Sequence, residues 1–317
     1  MARFVVRRLL NMVLTLFALS ILVFVIFNVI PAGDPGKRIA GRTANQATVE
    51  QVRKDFGFND PLYVQYYELM KRTIDGSLES YRNRVNVREE IVRGMPASTS
   101  LVVGAAIIWL VLGVSLGYYS AMRAGRLPDR LVTVVAIVGI SLPVFWVGAL
   151  LLYYLTYKLS WFPAGGYAPL TEDGPWEWLK HLILPWFALS ILFIGFYSRL
   201  MRSNILDTMN EDYVRTARAK GLTERRVMTR HVMRNALIPI ITLFGLDFGA
   251  AFGGGAILTE SVFGLEGIGQ YAADSVGNLD LPPIMGVTLY GAFFIVLLSA
   301  IVDVVYAYLD PRIRLET

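Results

Sequence analysis

Six uncharged runs of membrane-spanning length constrain what this chain can fold into. They are Leu9–Ile30, Ala97–Ala121, Leu131–Tyr157, Leu182–Ser198, Ala236–Thr259 (interrupted only by Asp247) and Ile284–Val302. A bilayer core of about 30 Å takes roughly 20 helical residues to cross. Each run reaches that length, the fourth once it extends into its flanks. None alternates polar and apolar residues at every second position, as a barrel strand does. The expected fold is an all-α integral membrane protein with six transmembrane helices. The charged fraction agrees: 17% of 317 residues, against about 25% in soluble domains. The sequence holds no cysteine, which excludes disulfides, thiolate metal sites and a cysteine nucleophile.

Arg3, Arg7 and Arg8 precede the first run. The run is longer than a signal peptide's apolar region, and no small-residue cleavage pattern follows it. A retained first helix is expected. Lys and Arg then orient the bundle. With the N-terminus in the cytoplasm, the inner segments hold seventeen of them, nine between Arg199 and Arg234, whereas the short outer loops hold only Lys158 and Lys180. Both termini are expected to be cytoplasmic. This gives a first helix over 1–30, a long extracytoplasmic loop over 31–95 and a core over 96–308. The core helices are expected near 97–121, 131–157, 180–201, 236–260 and 284–308, with a cytoplasmic loop over 203–235. Val49–Phe58 and Pro61–Ile74 in the outer loop read as short amphipathic helices. Their aromatics, Phe56, Phe58, Tyr63, Tyr66 and Tyr67, point to a packed cap or to interfacial helices.

The loop between the fourth and fifth runs carries the most information. Asn210 is an expected N-cap, Glu211 and Asp212 fall in a first turn, and Arg218 and Lys220 in a last turn, as the helix dipole favours. Gly221 supplies a stop. A helix of about three turns follows, with Met209, Tyr213, Ala217 and Gly221 at four-residue spacing on one face. A second helix is expected from near Thr223, with Arg226, Arg230 and Arg234 as a basic stripe. A short helix with a small-residue face can lie on lipid or enter a partner's groove. An ordinary solvated basic loop is the plainer alternative.

The pattern Tyr213-Val214-Arg215-Thr216-Ala217-Arg218-Ala219-Lys220-Gly221, then His231, Arg234-Asn235-Ala236-Leu237 and Pro239, resembles the EAA-type loop of ABC importer permeases. It is closest to the dipeptide, oligopeptide and nickel subfamily. Arg215, Thr216 and Ala217 stand where the general motif has Glu-Ala-Ala, so only the third agrees, a departure usual in the peptide branch. Further segments are similar to the subfamily's B-type permease. They include Arg7-Arg8-Leu9-Leu10, Phe56-Gly57-Phe58-Asn59-Asp60-Pro61-Leu62, Ser141-Leu142-Pro143-Val144-Phe145, Glu260 to Gly269 and Leu309-Asp310-Pro311-Arg312. Glu266 stands where the family commonly has proline.

The resemblance implies a type I ABC importer permease fold in a bacterial or archaeal cytoplasmic membrane. It implies several partners: a second permease subunit of a different chain, two ATP-binding subunits or one fused ATPase, and an extracytoplasmic solute-binding protein. A helix near 210–222 would seat in the ATPase, with Tyr213, Arg215, Ala217, Ala219, Lys220 and Gly221 as coupling residues. This chain would supply half the solute path and no catalysis, cofactor or nucleic-acid site; ATP and Mg would sit on the ATPase subunits. The sequence has no G-x-x-x-x-G-K-[ST] pattern.

Other residues are candidates for packing or the path. Gly245, Gly249 and Gly253 share one face of the fifth span and permit close helix contact. Pro143 and Pro185 can kink their helices. Asp247, a carboxylate inside a span, is a functional candidate by default. It would meet a peptide amine or pair with polar groups of the partner permease. Asp303 lies near the cytoplasmic end and reads as structural. The expected solute is a di- or oligopeptide. The same scaffold could carry a nickel chelate, glutathione or an oligosaccharide. A stand-alone secondary transporter would need inverted repeats with matching broken helices; an intramembrane enzyme lacks a paired His-Glu motif.

Overall fold

The computed structural model describes residues 2–30, 34–40 and 45–309. It is helical throughout, with one isolated two-residue bridge, Glu79 with Asn86, among the described residues. The first span is α1 (Ala2–Phe24), prolonged by a π-helical turn to Val29. Three cap helices follow: α2 (Pro35–Ala40), α3 (Gln46–Asp55) and α4 (Leu62–Asp75). Asn45 starts α3 by accepting from the Thr48 amide at 2.8 Å.

The second span is longer than its uncharged run. α5 (Val87–Met122) begins ten residues before the expected 97, inside the segment read as outer loop. The cause is its N-terminus. Asn86 accepts from the Glu89 amide at 3.1 Å, and Glu89 and Glu90 occupy the first turn. A helix with such a start has no reason to stop at the membrane surface.

The third run, expected as one span over 131–157, is two helices. α6 (Leu127–Ser141) and α7 (Val144–Leu151), the latter with a π-helical extension to Lys158, meet at 99°. Leu142 is extended (φ −85°, ψ 127°), the conformation that a following proline imposes, and Pro143 caps α7.

α8 (Gly174–Met209) outruns the expected 180–201 at both ends and passes through Pro185 without a break. Next come α9 (Asp212–Ala219), the short α10 (Glu224–Arg226), a π-helical stretch and α11 (Met233–Ala250). The fifth span therefore begins near 224, and the cytoplasmic loop expected over 203–235 shrinks to a helical hairpin. The span does not continue to 260. Gly254 has φ +130°, open only to glycine, and breaks it before α12 (Ile257–Phe263). α13 (Ile268–Gly277) and the last span α14 (Leu281–Leu309) complete the described chain. The side chain of Asp303, and Arg312 and Arg314, lie outside the described residues.

The core is the α5–α8 pair. Leu101, Trp109, Leu182, Tyr197, Met201 and Ile205 are wholly buried in it. Glycines allow the approach: a Cβ on Gly113 would stand 2.6 Å from that of Tyr197, and one on Gly117 2.6 Å from that of Met201. Trp186 Nε1 donates to the Ser100 carbonyl at 2.8 Å and Ser190 Oγ to that of Ala105 at 3.0 Å, locking the register. A second cluster joins Val23 and Phe24 of α1, Leu69 and Leu78 of the cap, and Leu281 and Met285 of α14.

Candidate functional site

The end of the molecule opposite the cap is built by the chain leaving α8 and entering the fifth span. Asn210 closes α8 and donates to the Leu206 carbonyl at 3.0 Å. It does not cap α9. Glu211, in extended backbone, precedes that helix, which is only two turns long. Lys220 ends it, and Gly221 at φ +75° turns the chain back. Arg218 staples the turn, donating to Glu224 through Nε (3.1 Å) and Nη2 (2.8 Å) and to the Met209 carbonyl.

The face that α9 turns outward differs from expectation. Val214 is wholly buried and Ala217 is 5% exposed, both against the core that includes Val227, Met228 and Val232. Four-residue spacing drifts by about 40° per step, so Met209 and Gly221 cannot share a flat face. Val214, the bulkiest aliphatic in the helix, selects the inner side. The outer surface is Tyr213, Arg215, Thr216, Ala219, Lys220 and Gly221, continued by Arg225, Arg226, Arg230 and Arg234. Ala217 is thus the one proposed coupling residue that faces inward. Tyr213 is held in place: its hydroxyl accepts from Asn235 Nδ2 at 2.6 Å.

The other candidates are scattered. Gly249 and Gly253 pack on α14. A Cβ on Gly249 would sit 3.3 Å from Ile295 Cα, and one on Gly253 would collide with the Ile295 side chain. Gly245 is buried. Pro143 stands at the α6–α7 bend. Asp247 points away from the glycine stripe and accepts a hydrogen bond from Tyr197 of α8 at 2.7 Å. Its partner is in its own chain.

Three acids that the sequence reading did not single out organise the fold. Asp129 binds Arg202, Ser120 Oγ and the Gly125 amide, fastening the α5–α6 turn to α8. Glu260, 1% exposed, accepts from Ser98 Oγ at 2.7 Å and the Gln270 amide at 3.0 Å, clamping α12 and α13 to α5. Asp280 accepts from Ser80 Oγ and the Tyr81 amide, tying the cap to the start of α14. Their sequence signal was faint: each is a lone acid bordering an apolar run.

At the cap end a cleft of about 1350 Å³ opens between α5, the 166–172 loop, α8 and Leu265-Glu266. Its lining is mainly apolar and includes Pro96, Ile107, Tyr167, Trp178 and Trp186, with the charged Arg93, Glu172 and Glu266 among them.

Residues 113–315 match the family described as binding-protein-dependent transport system inner membrane component. Residues 1–102 match the family described as the N-terminal part of the binding-protein-dependent transport system membrane component. The chain is 38% identical, over 99% of its own length and 100% of the relative's, to the oligopeptide transport system permease protein AppB of Bacillus subtilis. It is 35% identical to the probable peptide ABC transporter permease protein y4tP of Sinorhizobium fredii, over 99% of this chain and all of that one. It is 36% identical to the glutathione transport system permease protein GsiC of Escherichia coli, over 99% of both chains.

Proposed function

The chain belongs to the family of binding-protein-dependent transport system inner membrane components, and from that premise we propose that it is a permease subunit of an ATP-driven peptide importer. The observation that carries the reading is its end-to-end likeness to permeases named for oligopeptide, peptide and glutathione transport. A second permease supplies the other half of the path, separate subunits hydrolyse ATP, and an extracytoplasmic binding protein delivers the solute. Both termini and α9 are cytoplasmic; the cap is outside.

The geometry supports the division of labour. The rigid α9 hairpin ends in exposed Tyr213, Arg215, Ala219 and Lys220, a shaped basic knob for an ATPase groove. Arg218 ties it to the Met209 carbonyl at the end of α8, and Tyr213–Asn235 ties it to α11, so a push on α9 reaches both helices together. The cleft at the cap end lies on the solute path. Its tryptophans and aliphatics accept side chains of any sequence, and Glu172, Glu266 and Arg93 match the charged ends of a zwitterionic peptide. Glutathione, itself a short peptide, is the second reading, favoured by the likeness to GsiC.

The test is reconstitution of the co-purified complex in proteoliposomes. Receptor loaded with peptide should stimulate ATP hydrolysis and drive peptide uptake. Peptide movement by this chain without any ATPase subunit would overturn the reading.

A further inference from the structure

Cap helix α4 packs beside the outer end of the first span, where Asn28 donates to Gln65 at 3.0 Å. Its Tyr66 hydroxyl meets Ser20 Oγ at 2.7 Å, and the Tyr66 ring packs edge-on against Phe24. Ser20 is nine residues, about 13 Å, before the end of the first span at Val29. α4 therefore runs beside the last turns of that span, not above them. Its outward stripe is Tyr63 (75% exposed), Tyr67 (64%) and Ile74 (81%), within about 40° of arc at 100° per residue. Tyrosine in such a row is the side chain of a membrane–water interface.

Two contiguous grooves open at the C-terminal end of α4. One, about 380 Å³, is mainly apolar, with Ile74, Leu78, Ile91 and Leu289 in its walls. It reaches Gly286 and Tyr290, five and nine residues into α14, so about 7–13 Å along that helix from its first residue. The other, about 500 Å³, carries the polar side chains Asn86, Arg88, Glu89 and Arg93 in its walls. The grooves share Gly76, Arg88 and Val92. Arg93 is engaged with Glu90 at 2.9 Å, whereas Arg88 forms no ion pair among the described residues.

We propose that this double groove binds one glycerophospholipid of the leaflet at the cap end. Its phosphate sits on Arg88 and an acyl chain lies between Ile74, Ile91 and Leu289. A guanidinium pairs with phosphate oxygens through two donors. Adjacent Glu89 complements a head-group amine, which favours phosphatidylethanolamine. Leu289 lies eight residues into the last span, so a detached soluble partner would have to displace bilayer to reach it.

The experiment places the intact transporter complex in nanodiscs of phosphatidylethanolamine and phosphatidylglycerol, doped with phosphatidylethanolamine carrying a diazirine in its acyl chain. After illumination, digestion and mass spectrometry, cross-links are expected on the peptides holding Ile74, Ile91 and Leu289. Arg88→Gln should reduce them about ten-fold, the loss of one charge-assisted hydrogen bond, and Arg88→Lys should restore part of the signal. Ile74→Asp, at an exposed position that leaves Arg88 untouched, should also abolish them. Each variant is first checked for assembly with its partners. Labelling equal in wild type and Arg88→Gln would mean bulk annular lipid only and overturn the proposal. So would an unlabelled groove covered by the second permease or the binding protein.

Discussion

Arg202 grips Asp129 through two parallel hydrogen bonds, Nε to Oδ1 at 2.6 Å and Nη2 to Oδ2 at 2.8 Å. Asp129 is 3% exposed, and removing one partner of a buried pair strands the other charge, costing about 3–5 kcal/mol. Arg202 keeps a solvent-facing edge, so the lower end of that range applies. Asp129→Ala should lower the thermal midpoint of the purified complex by several degrees. Arg202→Lys should recover little, because an ammonium cannot form the paired contact. Arg202→Ala should act in the same direction as Asp129→Ala, and a double variant Asp129→Asn/Arg202→Gln should be milder than either alanine change. Differential scanning fluorimetry of all four reads this directly.

The inward turn of Ala217 separates folding from coupling. Ala217→Glu puts a carboxylate into the packed side of α9 and should cut the amount of assembled protein. Arg215→Glu changes an exposed residue and should leave assembly intact while reducing receptor-stimulated ATP hydrolysis several-fold. Equal stimulation in Arg215→Glu and wild type would remove Arg215 from the coupling surface.

Gly221 offers a finer test. A Cβ there would meet nothing within 4 Å, so only its φ of +75° opposes substitution. Gly221→Ala should cost about 1 kcal/mol and leave uptake nearly normal. Gly221→Glu carries the same backbone cost and adds a charge to the basic knob. A large fall in uptake for Glu alone, at equal expression, would identify docking as the cause.

Gly253 faces Ile295 and the Gly291 backbone so closely that any Cβ must displace one of them. Gly253→Val should destabilise the complex more than Gly249→Ala, whose Cβ would stand at 3.3 Å or beyond. Comparable thermal midpoints for the two would show that α11 and α14 slide apart readily.

The Tyr197–Asp247 bond tests whether the intramembrane acid serves structure or transport. Tyr197→Phe removes the donor and should destabilise the fold by about 1–3 kcal/mol. Asp247→Asn keeps an acceptor and should be tolerated in both stability and uptake. A variant that is stable but inactive in uptake would return Asp247 to the solute path.

Much of this was legible because lipid imposes a simple rule: long uncharged runs become helices. α5, α8 and α14 each contain such a run and α1 and α11 hold most of one, and the Gly221 turn is visible from dipole-oriented charges and one glycine. Helix ends were less visible, since an uncharged run marks the bilayer and not the helix. Asn86 and Glu89 start α5 ten residues early for local reasons of capping. The 99° bend was present only as Pro143, one proline among several that their helices absorb. The side of α9 depends on Val214 finding Val227 and Val232, a tertiary choice. Asp129 and Arg202 lie 73 residues apart in sequence, and no local pattern pairs them.

The broken third span bears on how the chain can exist in a membrane at all. α6 is 15 residues long, about 22 Å, so its end at Ser141 falls inside the hydrocarbon layer. The last four carbonyls of any helix lack an amide from their own helix, and lipid offers none. Ser141 and Pro143 are exposed on the surface of the single chain, beside half-exposed Phe145 and Trp146. Ser141 Oγ donates to the Ile137 carbonyl at 2.8 Å, and the turn beyond it would face oil in a solitary copy. The bend is therefore the place on this surface where a companion chain, or a water-filled passage shared with one, would do most for the single chain, by shielding peptide groups that lipid leaves without partners.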